Sequence, residues 1–215
     1  MSGASGPRRI VSAICAGHGI ARQEFAPVSD TRRSHLARQV GRTAQYNPQT
    51  VPDQYRVRPA TFEDVDALVR HRIGMFTDMG VPLDIGALDG AFRIWLAETM
   101  PAGVYRAWVT EVTSDIAGRA SSAIVAGGGI TILPWPPGPQ YMGTRLAFVY
   151  NVYTEPAHRR RGLARAIMDA IHTWCREAGI TSVALNASLD GRPLYEALGY
   201  RVSPHPMMFL PMVKV

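Results

Sequence analysis

Lysine is almost missing from this chain of 215 residues: Lys214 is the only one, and every other basic residue is arginine. Cysteine is nearly as rare. Cys15 and Cys175 stand in unrelated contexts and offer neither a disulfide framework nor a metal-ligand spacing. The six histidines are scattered, with no HExxH and no Cys/His cluster, so no metal is expected. No run of about 18 apolar residues occurs, which excludes a transmembrane helix, and no membrane partner is expected. Neither a GxxxxGK[ST] P-loop nor a GxGxxG dinucleotide fingerprint is present. No internal repeat of about 20–50 residues is found, which argues against a solenoid or propeller.

What is present suits one domain with an extension. With 47% hydrophobic and 19% charged residues, the chain can bury a core without disulfides or metals. The net charge of +6 invites a nucleic-acid reading, but its placement opposes one. Residues 1–50 hold seven arginines against Glu24 and Asp30, whereas residues 51–215 hold 16 basic and 15 acidic residues. The body is near neutral, and no nucleic-acid partner is expected. Residues 1–23 contain three arginines, three serines and no acid, the composition of an organelle transit peptide. A disordered leader or an over-long start is the preferred reading. The expected location is the cytoplasm, with a targeting leader left open. Residues 1–53 are thus expected to form a mostly irregular basic extension, with a short helix near 32–42, and residues 54–215 the folded domain.

Within that domain, Tyr55–Arg58 alternates as a strand does and is closed by Pro59. Thr61 and Asp64 have the spacing of a capping box, ahead of Val65, Leu68, Val69, Ile73 and Phe76 at helical intervals. Leu88, Phe92, Trp95 and Leu96 mark a second helix. Tyr105–Val112 and Ala123–Leu133 read as strands, the latter broken by Gly127–Gly129 at a bulge. Leu146–Tyr153 is continuously apolar, as in a strand buried on both faces. A helix follows, striped by Leu163, Ala166, Ile167, Ala170, Ile171 and Trp174. Ser182–Leu185 is a strand, Arg192–Ala197 a short helix, and Tyr200–Val202 a last strand that continues or is followed at Met207–Leu210. This order predicts a mixed α/β domain with at least one parallel crossover.

The segment from Glu155 to Arg165 joins the buried strand to the striped helix. A helix start offers unpaired N–H groups and the positive end of a dipole, both suited to a phosphate. Gly162 and Ala164 keep the first turn small. Arg159, Arg160, Arg161 and Arg165 crowd the same turn, where acids rather than arginines would be favoured without an anion.

Arg159-x-x-Gly162-x-Ala164 resembles the R/Q-x-x-G-x-G/A signature of the GNAT superfamily of acyl-CoA N-acyltransferases. Leu194-Tyr195-Glu196-Ala197-Leu198-Gly199-Tyr200 resembles the segment that closes the same core. The resemblance runs from about Gln54 to Leu210. It implies a central mixed, mostly antiparallel twisted sheet, with a parallel crossover at the coenzyme site and about four flanking helices. It implies acetyl-CoA as co-substrate, its pantetheine arm and acetyl carbonyl on the backbone of a bulged strand at Val152, Tyr153 and Thr154. The pyrophosphate falls on backbone N–H groups from Arg160 through Arg161, Gly162, Leu163 and Ala164 to Arg165. Ser188 stands where an asparagine often contacts the coenzyme, and Asn186 lies close enough to substitute.

The implied activity is transfer of an acetyl group to a primary amine within a ternary complex. Tyr195 would return a proton to the departing sulfur as general acid. An alkyl amine of pKa ~10.4 is neutral in only about one molecule in a few thousand at pH 7, so its proton needs a route out. No base is singled out: Val183 stands where some relatives place a glutamate, leaving Glu111, Glu155, Asp190 or a water chain. Asn151, polar within an apolar strand, orients a water or the amine, or satisfies the bulge. Met75, Phe76, Met79 and Trp135 are candidates to line the acceptor pocket, with Asp78, Asp84 and Asp89 to attract a cation. The expected partner is a small-molecule amine or a peptide N-terminus; a homodimer stays open. The alternative is a non-catalytic acyl-CoA sensor of the same fold.

Overall fold

The first strand forms where the sequence alternates. In the computed structural model, which describes residues 52–116, 119–139, 141–204, 207, 208, 210 and 212, Tyr55–Pro59 is β1. A 3-10 turn at Phe62–Asp64 runs into helix α1, Val65–Asp78. Asp64 accepts the Thr61 N–H at 2.7 Å and pairs with Arg58 at 2.7 Å, which pins the start of α1 to β1. Asp84 caps α2, Ile85–Thr99, by accepting the Ala87 N–H at 3.0 Å. Strands β2, Tyr105–Ile116, β3, Arg119–Pro134, and β4, Arg145–Thr154, follow. Helix α3, Leu163–Glu177, strand β5, Val183–Leu185, and helix α4, Arg192–Ala197, complete the described elements.

The strands lie side by side in chain order. Neighbours from β1 to β4 are antiparallel, and β4 and β5 are parallel with α3 as their crossover. Both faces are covered. Tyr105, Ala107 and Val109 of β2 pack with Leu68, Val69, Phe92 and Leu96 of α1 and α2. Trp108 points the other way, into a core with Ile130, Ala147, Val149 and the Ile167, Met168 and Ile171 stripe of α3. Of the run Leu146–Tyr153 expected to be buried, Leu146–Val149 and Asn151 are, whereas Tyr150, Val152 and Tyr153 are half-buried, beyond the last pairing of β5 with β4. No helix among the described residues is long and apolar enough to cross a membrane.

The last strand expected from the sequence differs. Tyr200–Val202 and the described residues among 207–210 carry no strand. Val202 is 71% exposed, and Pro204 lacks an N–H that a ladder would use. Tyr200 turns to α3 instead, its hydroxyl 2.8 Å from His172 Nε2. Cys15 and the helix expected near 32–42 fall outside the described residues.

Candidate active site

A bulge in β4 shapes the site. β3 and β4 pair at Gly129↔Tyr150 and again at Gly127↔Tyr153, so Asn151 and Val152 both stand opposite Gly128. Asn151 provides the bend with φ 55, a left-handed conformation that asparagine tolerates better than most residues. β4 is the strand in which the resemblance implies a bulge; β3 carries its own irregularity against β2 at Val125, two residues before its run of glycines. Those glycines serve the β4 bulge from across the ladder: a Cβ on Gly128 would meet Ile167 at 2.9 Å and Val152 at 3.1 Å. β5 follows β4 only as far as Leu185↔Val149. Tyr150–Thr154, including Val152, Tyr153 and Thr154, therefore runs on beyond its last parallel partner.

The turn after β4 leads into α3 through two left-handed residues, Arg160 at φ 62 and Gly162 at φ 78. The α3 start has no side-chain cap and no acid in its first turn, and the N–H groups of Leu163 and Ala164 lie ahead of the bond from the Ala166 N–H to the Gly162 carbonyl at 3.0 Å. Leu163 is buried beside Tyr55, Val125 and Ala126, which anchors this end of the helix. The arginines divide. Arg159 donates to the Thr154 carbonyl at 2.9 Å, pairs with Asp78 and lies 5.5 Å over the Tyr153 ring. It fastens the turn to α1 and β4. Arg161 lies 5.9 Å over Tyr55 and donates to the Ala157 carbonyl. Arg160 is exposed without a bonded partner among the described residues. Arg165 is half-buried.

Tyr195 sits half-buried on α4, its ring 5.8 Å from that of Tyr200, and burial pushes its phenol above the usual range. Ser188 Oγ accepts the Gly191 N–H at 3.1 Å, so this side chain shapes the turn into α4. Asn186 is exposed.

A cavity of about 290 Å³ opens between α1, α2 and the bulge, lined by Arg72, Leu88, Ala91, Phe92, Trp95, Tyr150 and Asn151. None of the four residues expected to line the acceptor pocket is among them; Asn151, expected for the chemistry, is. Phe76 lies behind the wall, 5.1 Å from the Arg72 guanidinium, while Met79 and Trp135 are 50% and 44% exposed. Met75 does not line the cavity either. The three acids are engaged elsewhere: Asp78 with Arg159, Asp84 at its cap, Asp89 with Arg93 at 2.7 Å. Leu88, Phe92 and Trp95 were legible as an apolar stripe. A stripe facing a cavity and one facing a core share the same period, so spacing could not separate them. Nothing in the sequence marked Arg72.

Among the candidate bases, Glu111 is held by Arg58 at 2.6 Å, and Asp190 is exposed. Glu155 receives Arg70 at 3.0 Å and lies 3.4 Å from Nε2 of His71, a residue the sequence reading missed. His71 is buried, with its ring 5.6 Å from that of Tyr153. Burial, helped by Arg70 and opposed by Glu155, lowers its pKa to about 4.

A five-stranded mixed sheet with a bulge in β4, followed by an uncapped helix start behind left-handed residues, defines a mixed α/β architecture. Residues 87–200 match the Acetyltransferase (GNAT) family. The chain belongs to that family. It is similar to a GCN5-related N-acetyltransferase from Ralstonia eutropha JMP134, at 32% identity over 74% of this chain and 98% of that one, with TM-score 0.64. It shares its fold with an acetyltransferase from Clostridium acetobutylicum solved with acetyl-CoA, at 24% identity over 73% and 96% of the two chains, with TM-score 0.63. It is 28% identical over 130 residues to the chloroplastic serotonin N-acetyltransferase 2 of Oryza sativa subsp. japonica, covering 57% of this chain. That match spans 58% of the length of the rice protein.

Proposed function

We propose that the protein is an N-acetyltransferase that moves an acetyl group from acetyl-CoA directly to a primary amine. The observation that carries this reading is the β4 bulge, placed immediately before an uncapped helix start. The residues suit acetyl-CoA. The free edge at Val152–Thr154 can pair with the amides of the pantetheine arm. The N–H groups of Arg160–Arg165 can receive the pyrophosphate, with Arg160 adding side-chain charge. Asn186 and Ser188 are within the same reading as contacts to the arm. A backbone N–H at the bulge polarises the thioester carbonyl as an oxyanion hole does. Tyr195, kept protonated by burial, supplies the proton that the departing thiolate takes up. Asn151 orients the amine through the bulge, and Glu155 with His71 offers a route for the amine's proton. Residues 54–215 form the acetyltransferase domain, acting in the cytoplasm, and residues 1–53 an extension outside it.

Thermal unfolding with and without acetyl-CoA tests this first. A ligand at 100 times its Kd adds about 2.7 kcal/mol of apparent stability. Free-thiol release across a panel of amines then separates an enzyme from an acyl-CoA sensor. No stabilisation at millimolar acetyl-CoA would refute both.

A further inference from the structure

The cavity beside the bulge carries one formal charge among its lining residues, and that charge is positive. Arg72 donates from Nη1 to Asn151 Oδ1 at 2.6 Å, and its guanidinium lies 4.7 Å from the Phe92 ring centre. Its Nε is buried with no hydrogen-bond partner. No ion pair to Arg72 forms among the described residues, although Asp78, Asp84 and Asp89 belong to α1 and the start of α2. A half-buried guanidinium with no acid beside it is only partly compensated by its aromatic contacts. Arg72 lines the cavity, where its guanidinium can pair with an arriving oxyanion, and guanidinium geometry matches a planar carboxylate. The remaining wall, Leu88, Ala91, Phe92 and Trp95, is apolar. The volume is at the small end of ligand pockets, whose range is about 300–1,000 Å³.

We propose that the acceptor is an amine bearing a carboxylate and an apolar side group, an amino-acid-like molecule whose carboxylate pairs with Arg72. This rests on the acetyl-transfer reading and names its substrate class. A polycationic acceptor would place like charge against Arg72, and the acids that could attract it are bound elsewhere.

The test is calorimetry on the full-length protein saturated with coenzyme A. N-acetyl-L-phenylalanine, its primary amide and N-acetylphenethylamine share a ring and differ in the carboxylate. The carboxylate binds about 10–100-fold tighter than either neutral analogue, as expected for a charge-assisted pair. Arg72→Gln erases that preference, and Arg72→Lys retains part of it. Acetyl-CoA still stabilises Arg72→Gln thermally, which shows that the variant folds. Equal affinity for the amide, tighter binding of kanamycin, or tighter binding of the matching phosphonate overturns the proposal. So does failure of the N-acetyl derivatives of phenylalanine, leucine and methionine to bind a protein that acetyl-CoA stabilises. Absence of that stabilisation in the unmodified protein sinks the acetyl-transfer reading instead. The carboxylate preference is then read by the same calorimetry without coenzyme.

Discussion

Asn151 combines two demands in one side chain: a left-handed backbone at φ 55 and a hydrogen bond to the Arg72 guanidinium. Glycine would keep the first and lose the second, and alanine would lose both. Asn151→Ala is therefore expected to be less stable than Asn151→Gly by about 1–2 kcal/mol, read from urea unfolding midpoints. Equal midpoints would mean that the bend carries no strain. Tyr195 makes a different demand. Burial raises its phenol, so the proton-donating form persists to higher pH than for a free tyrosine. Tyr195→Phe should lower kcat roughly 10²–10⁴-fold with unchanged circular dichroism and acetyl-CoA affinity. In the unmodified enzyme, no loss of kcat from this group should appear below about pH 10. Retained turnover in the variant removes the assignment. Tyr195 was legible because it sits in a motif. Arg72 was not, because a single arginine on an amphipathic helix looks the same whether it meets water or lines a cavity.

At the scale of elements, two glycines in helical surroundings predict opposite effects. Gly162 stands at φ 78 where α3 begins, and an added Cβ there is strained by about 1–2 kcal/mol. Gly162→Ala should also turn the first N–H groups of α3 and raise the acetyl-CoA Kd by more than about tenfold in calorimetry. Gly90 lies inside α2, exposed, with nothing within 4 Å of a built Cβ. Gly90→Ala should raise stability by about 0.5–1 kcal/mol. A stabilising Gly162→Ala would refute the reading of the turn. The helices were legible in outline: the stripe from Leu163 to Trp174 predicts α3, and Arg192–Ala197 forms the helix expected of it. The β4 bulge was legible through the resemblance, which implies a bulged strand at Val152–Thr154; its register, with Asn151 and Val152 both opposite Gly128, was not, since register depends on the neighbouring strand. At the expected last strand Tyr200 packs on His172 and Tyr195 instead of joining the sheet, which no local pattern reports.

For the whole molecule, acid should act through His71 before it acts through the carboxylates. The folded pKa of His71 is lowered to about 4, against ~6.5 unfolded, by burial and by Arg70, with Glu155 opposing. Between those values the unfolded chain binds more protons than the native one, so stability falls as pH falls, by up to about 3 kcal/mol. Asp64, held below its usual range by Arg58, adds a loss at still lower pH, as its carboxylate protonates. Urea midpoints followed from pH 7 to pH 4 should show the first loss, and His71→Gln should flatten it. An unchanged slope in the variant would place the effect elsewhere. Sequence by itself determined the class of fold, the arginine-rich turn before α3 and the family, since each depends on periodicity or on contiguous residues. Only the tertiary structure decided which arginines of that turn are tied to other elements, and that the one charge lining the cavity beside the bulge is positive. Those depend on partners distant in the chain, Asp78 with Arg159 and Asn151 with Arg72, and a one-dimensional pattern carries no distance between them.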